Sequence, residues 1–126
     1  MGLKISEFKK GGSTFTDAYA KVSGVRYDND SKIATFGLKI FVSKTDKNLI
    51  TEIQNQWVQI EAGTDMVAQC YGKLSTHIAQ INAQIAAKQI AIDAIVGNDN
   101  LKLREQNMLN SLKDLEVRQL DGSVEW

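Results

Sequence analysis

Residues 67–95 read VAQCYGKLSTHIAQINAQIAAKQIAIDAI, and a single seam runs through them: Val67, Tyr71, Leu74, Ile78, Ile81, Ile85, Lys88, Ile92 and Ile95. The steps between these residues alternate four and three. That is the spacing of a heptad helix, held for about four repeats with one polar break at Lys88. At roughly 1.5 Å rise per residue the helix would be about 45 Å long. A chain of 126 residues has no core thick enough to bury such a helix on every side. The seam therefore needs cover, from its own chain or from other copies of it.

The residues after the seam offer the first kind of cover. Gly97-Asn98-Asp99-Asn100 stops the helix near Val96 and supplies Asn98 or Asp99 as the next cap. A second helix is expected over about Leu101–Val117, with Leu101, Met108, Leu112 and Leu115 as its stripe and Leu109 beside it. Folded back along the first helix it would bury part of the seam. The second kind of cover is self-association. The core positions of the seam are mostly Ile, at a (Ile78, Ile85, Ile92) and at d (Ile81, Ile95), which favours trimers or higher states over dimers. On this reading Val67, Tyr71, Leu74, Ile78, Ile81, Ile85, Ile92 and Ile95 are the oligomer interface. Lys88 sets register or marks where the coil loosens. The opposite face carries Ala79, Ala83, Ala86, Ala87, Ala91 and Ala94, small enough for another helix to approach closely.

Working back from the seam, Gly63 breaks the preceding element, Thr64 is a good N-cap and Asp65 suits the positive end of the helix dipole. Before it the period changes from helical to alternating. In residues 31–43, Ala34, Phe36, Leu38, Ile40 and Val42 fall on one face and Thr35, Gly37 and Lys39 on the other. Upstream, Ala18, Ala20 and Val22 alternate with Tyr19, and Asp28-Asn29-Asp30 supplies turn formers between the two runs. Residues 14–43 thus read as an antiparallel hairpin. A further strand is expected over Ile50–Ile60, with Trp57, Val58 and Ile60 at its buried end. The first ten residues suit an edge strand, closed by a turn at Gly11-Gly12.

The fold expected is α+β: a small antiparallel β-sheet, then a long helix, a tight turn and a shorter helix, as a helical hairpin or coiled coil. Three regions follow, an antiparallel β region at 1–62, a helical oligomerisation region at 63–118 and a C-terminal docking tail at 119–126. Trp126 is a candidate docking anchor, since Trp is enriched where proteins meet.

Composition narrows the function. Hydrophobic and charged fractions of 43% and 24% are those of an ordinary folded domain. Residues 1–62 carry nine basic and seven acidic side chains, residues 63–126 six and eight, so the halves are +2 and −2. That is too weak a field to argue for nucleic acid or an anionic membrane. No apolar run approaches the roughly 20 residues of a membrane span, and no basic-then-apolar leader opens the chain. One cysteine excludes an intrachain disulfide. Proline is absent where average usage predicts about six, so nothing breaks a long helix from within.

Candidate chemistry is sparse. His77 is the sole histidine, and Cys70 lies seven residues before it. Two helical turns, about 10 Å, is too far for one zinc ion. Asp28-Asn29-Asp30 resembles part of a calcium loop but lacks its glycine and closing glutamate. Gly11-Gly12-Ser13 and Ser23-Gly24 lack the Gly-Lys-Ser/Thr of a phosphate loop. No catalytic, cofactor or metal residue is assigned, and an enzyme is not expected.

Three features together carry a resemblance: the phrase Asp17-Ala-Tyr-Ala-Lys-Val-Ser-Gly-Val25, the strand end Ile40-Phe41-Val42-Ser43-Lys44, and the helix with Tyr71 and Leu74. Over about residues 14–75 the chain resembles small phage tail or baseplate structural proteins. Here the helix continues far past Leu74 and a second helix precedes the final segment. The resemblance implies a non-enzymatic structural subunit of a virion, in the tail, baseplate or fibre-attachment region, assembled in the host cytoplasm. Its partners would be other copies and other virion structural proteins, with no nucleic acid and no membrane. The alternative is a cytosolic adaptor or assembly chaperone that holds a partner's helix against the seam.

Overall fold

The computed structural model describes residues 2–46, 48–63 and 65–125. Four strands form an up-and-down meander: β1 (Leu3–Lys10), β2 (Ser13–Asp28), β3 (Ile33–Phe41) and β4 (Leu49–Gln59). A long helix α1 (Met66–Asp93), a shorter helix α2 (Asp99–Lys113), a 3₁₀ helix (Glu116–Leu120) and a short strand β5 (Val124–Glu125) follow. The sheet is antiparallel in the order β4-β3-β2-β1-β5. The chain is therefore α+β, a five-stranded sheet followed by a helical hairpin.

Turn chemistry sets the register. Gly11 and Gly12 both take positive φ between the paired residues Lys10 and Ser13, the type I′ geometry that suits the right-handed twist of a hairpin. At the next turn the Asp28 carboxylate accepts from the Asp30 N–H at 3.0 Å, and Lys32 N–H closes onto the Asp28 carbonyl at 2.8 Å. Three register shifts flank β3, one of them on β4 between the pairs Ile40–Thr51 and Phe41–Leu49. β2 places two residues opposite Phe36, with Gly24 at φ 62°, and β4 places two opposite Gly37, with Asn55 at φ 59°. Asp17 also takes a positive φ, within an unbroken β1–β2 register that sets Phe15 across from Phe8, and Phe15 packs on the same core as Ala18 and Ala20.

One face of the sheet carries the core. Ile5, Phe8, Ala20, Phe36, Leu38, Ile40 and Val58 pack with Cys70, Leu74, Ile78 and Ile81 of α1 and with Val117 and Leu120 of the 3₁₀ helix. The other face is mostly polar, except where Tyr19 is buried beside Phe41, ring centroids 6.3 Å apart. Gly2 lies so close to the Tyr19 ring that a Cβ there would collide with it.

Several expectations are corrected. Trp57 is half exposed while Val58 and Ile60 are buried. Alternation puts 57 on the parity opposite to 58 and 60, so the three could not all share the core. The expected cap Thr64 lies outside the described residues, and Asp65 caps α1, its carboxylate accepting from the Ala68 N–H at 3.1 Å. α1 ends at Asp93 rather than Val96, and α2 ends at Lys113 rather than Val117. The stripe of α2 is centred on Leu109, which is fully buried, while Met108 and Leu115 are exposed. Residues 101, 105, 109 and 112 share one helical face; position 108 is rotated about 100° from 109.

Candidate interaction surfaces

α1 divides the seam between two covers. Leu74, Ile78 and Ile81 are buried against the sheet, and Ile85 packs partly against the same core. Tyr71 lies partly buried at the sheet's end, where its Oη accepts from the Val22 N–H at 2.8 Å. β1 pairs with β2 only as far as Ala20, so the phenol serves a β2 amide beyond the reach of β1. Farther along, Ile92 of α1 and Leu109 of α2 are both fully buried, outside the sheet's core cluster. They form a separate small core within the hairpin. Ile95 is half-buried and Val67 is exposed.

Lys88, the polar break in the seam, meets α2. Its Nζ lies 2.6 Å from Glu105 Oε2, with both side chains about three-quarters buried. The hydrogen bond from Lys88 holds the Glu105 carboxyl below the usual carboxylate range. A lysine costly in an apolar seam is thus satisfied by a carboxylate on the helix that covers it.

Most of the seam expected between copies is therefore occupied within one chain, by the sheet over Leu74–Ile81 and by α2 around Lys88 and Ile92, while Val67 stays exposed. This is the hairpin arrangement of the two the sequence allowed. The preference of Ile for three or more helices applies to a seam shared between chains, and these isoleucines face their own chain instead.

The C-terminal region is fastened by polar side chains. The Gln119 side chain pairs with the Lys9 backbone as a strand would: Lys9 N–H donates to Oε1 at 2.7 Å and Nε2 donates to the Lys9 carbonyl at 3.0 Å. Gln69 does the same for Glu61, at 2.8 and 2.9 Å. Arg118 Nε donates to Asn82 Oδ1 of α1 at 2.9 Å, and Lys10 pairs with Glu116 at 2.7 Å. β5 then adds to β1 at Leu3 and Lys4, so the β1 edge is largely covered. At the opposite edge, β4 carries the Asn55 bulge, which spoils it as a template for further strands. None of these clasps is visible in the sequence, because a glutamine that mimics a backbone looks like any surface glutamine. Trp126, the expected docking anchor, lies outside the described residues.

The candidate reactive groups are dispersed. Cys70 is fully buried, and burial pushes its thiol up, which leaves it inert at neutral pH. His77 sits between the Gln56 amide, 3.2 Å away, and the edge of Trp57, and burial holds its imidazole below the ordinary value. Asp28 and Asp30 build their turn, and Asp17 pairs with Lys4 at 3.6 Å. Among the described residues no three His, Cys, Asp or Glu side chains converge as metal ligands, and no helix is long and apolar enough to cross a membrane.

What the hairpin leaves open is apolar surface. Ile90, Val96, Leu103 and Met108 are exposed, Ile90 at 71% and Val96 at 90%. The face of α1 opposite the seam, with Ala79, Ala83, Ala86, Ala87, Ala91 and Ala94, is exposed along its whole length. Comparison with family models, with curated proteins and with solved structures finds no match for this chain.

Proposed function

We propose that this chain is a non-enzymatic structural subunit of a bacteriophage virion, in the tail, baseplate or fibre-attachment region, that self-associates through its helices. The observation that carries the self-association is the hairpin beyond the sheet. Its fully buried large side chains are Ile92 and Leu109, while Ile90, Val96, Leu103 and Met108 stand exposed around it. Two buried side chains contribute only about 3–6 kcal/mol before entropy costs. Ordering the backbone of such a hairpin costs roughly 1–2 kcal/mol per residue. Neighbouring subunits that bury the exposed side chains would supply what the isolated hairpin lacks. The resemblance of residues 14–75 to small tail and baseplate proteins supplies the virion context. The sheet, with its edges blunted, suits docking to a larger virion component by its face.

Purified particles of the encoding phage test this reading. Quantitative mass spectrometry should find the chain in the particle at a fixed copy number, and it should stay with the tail fraction after heads are removed. A chain abundant in infected lysate but absent from particles would refute the structural role and favour an assembly chaperone.

A further inference from the structure

Trp57 is half exposed, at 52%, yet its ring is held in place. The indole stands 5.9 Å from the His77 imidazole with the planes at 63°, and His77 is in turn held by the Gln56 amide at 3.2 Å. Single exposed apolar side chains are common on any surface. An indole braced by a histidine and left open beside a cleft is a narrower observation.

The cleft lies between the end of β4 and α1 and has a volume of about 330 Å³. Trp57 and Gln59 form one wall; Lys73, Thr76, His77 and Gln80 of α1 form the other. A second cleft of about 300 Å³ continues it past Gln59 and Lys73 to Glu61 and Gln69. Gln69, Lys73, Thr76 and Gln80 follow one another by four, three and four along α1, so they share a face. Their line is about 16 Å long at roughly 1.5 Å per residue. The two clefts are one trough, with Trp57 toward one end and Glu61 toward the other.

The lining selects the chemistry of what the trough takes. Gln59, Lys73, Thr76 and Gln80 are exposed, and among the described residues none of their side chains meets a hydrogen-bond partner or an ion pair. Each glutamine offers donors and an acceptor, and the threonine a hydroxyl that serves as either. Lys73 and Glu61 carry the trough's formal charges, which cancel. A nucleic acid would call for several cations. An added peptide strand would call for a clean edge, which the Asn55 bulge denies to β4. An apolar ligand would leave the amides unpaired. A pyranose ring fits what remains: its C–H face lies flat on an indole, and its hydroxyls both donate and accept.

We propose that the trough between β4 and α1 binds a neutral oligosaccharide, with one sugar stacked on Trp57 and the hydroxyls of the chain bonded to Gln59, Thr76 and Gln80. The length of the trough suits several sugars in a row rather than one. A braced aromatic platform with a few convergent polar groups is the usual build of a small-ligand site. The site is complete within one chain and does not depend on self-association.

An array printed with neutral glycans, acidic glycans and peptides, probed with the labelled full chain, tests the site. The wild type should retain neutral glycans. Titration calorimetry with the best retained oligosaccharide should show binding weakened about tenfold or more in Trp57→Ala. Gln80→Ala, at an exposed position of α1, should weaken it too while far-UV circular dichroism stays unchanged, so the test stands even if the Trp57 variant misfolds. Lys102→Ala, on α2, should bind as the wild type does. A wild type that retains no neutral glycan would overturn the proposal. So would binding that survives both Trp57→Ala and Gln80→Ala, or retention of acidic glycans or peptides alone.

Discussion

Truncating Ile78 to alanine tests what covers the seam. Ile78 is 1% exposed and sits on α1 among the sheet residues of the core. The change removes about three methyl or methylene groups, worth roughly 2.4 kcal/mol at about 0.8 kcal/mol each. The cavity left in a packed core adds to this, which places the total near 3–4 kcal/mol, within the range of about 2–5 for such truncations. Against a typical domain stability of about 5–15 kcal/mol that is a large fraction. Urea unfolding followed by far-UV circular dichroism measures it, at two protein concentrations about a hundredfold apart. Because the sheet of the same chain covers Ile78, the difference between wild type and variant should be the same at both concentrations. If other copies supplied the cover, the difference would shrink on dilution, as separated chains left Ile78 in water. A loss below about 1 kcal/mol, or one that vanishes on dilution, would refute the docking of α1 on its own sheet.

Three further predictions concern polar groups that the fold places. Tyr71→Phe leaves the Val22 N–H without its phenol acceptor and should cost about 1–3 kcal/mol, with faster hydrogen exchange at that amide; unchanged exchange would show the bond to be unimportant. For Lys88 and Glu105, Lys88→Met and Glu105→Gln should each destabilise the hairpin, and the double variant should lie closer to wild type than the two losses combined, as a double-mutant cycle reads directly. Acid should weaken the fold in two stages. Burial lowers the folded-state value of His77, so its contribution is present above about pH 6.5 and is lost as pH falls from there toward the folded value. Glu105, lowered by Lys88, contributes above about pH 4.3 and loses that contribution as pH falls through its folded value. Stability that stays flat between about pH 7 and 5.5 would contradict the placement of His77.

The strands were legible because their signals are local. Alternation at Ala34, Phe36, Leu38 and Ile40, and turn formers at Gly11-Gly12 and Asp28–Asp30, act over a few residues and recur in the structure at the expected places. The boundaries of α1 and α2 shifted by a few residues, since capping depends on which neighbouring side chain reaches the free amide, as Asp65 does. Met108 and Leu109 are adjacent and equally apolar. Only the direction from which α1 approaches selects Leu109 for burial. Trp57 is exposed because the parity of its strand, not the size of its side chain, sets the face it takes. The clasps of Gln69 and Gln119 join residues distant in sequence, so no spacing announces them.

By itself the sequence determined that α1 has two faces, an isoleucine seam that must leave water and an uncharged face with Gly72 and alanines opposite it. It determined the hairpin turns, the helix caps in outline, and the absence of charge that would draw nucleic acid. The tertiary structure decided what covers the seam: β-sheet for Leu74, Ile78 and Ile81, α2 for Ile92, and a carboxylate for Lys88. The reason is that the hydrophobic effect is non-directional. A periodic stripe encodes the need for burial but accepts any apolar surface, whereas Lys88 accepts only a group that can pair with it, and that group is contributed by a helix seventeen residues farther along the chain.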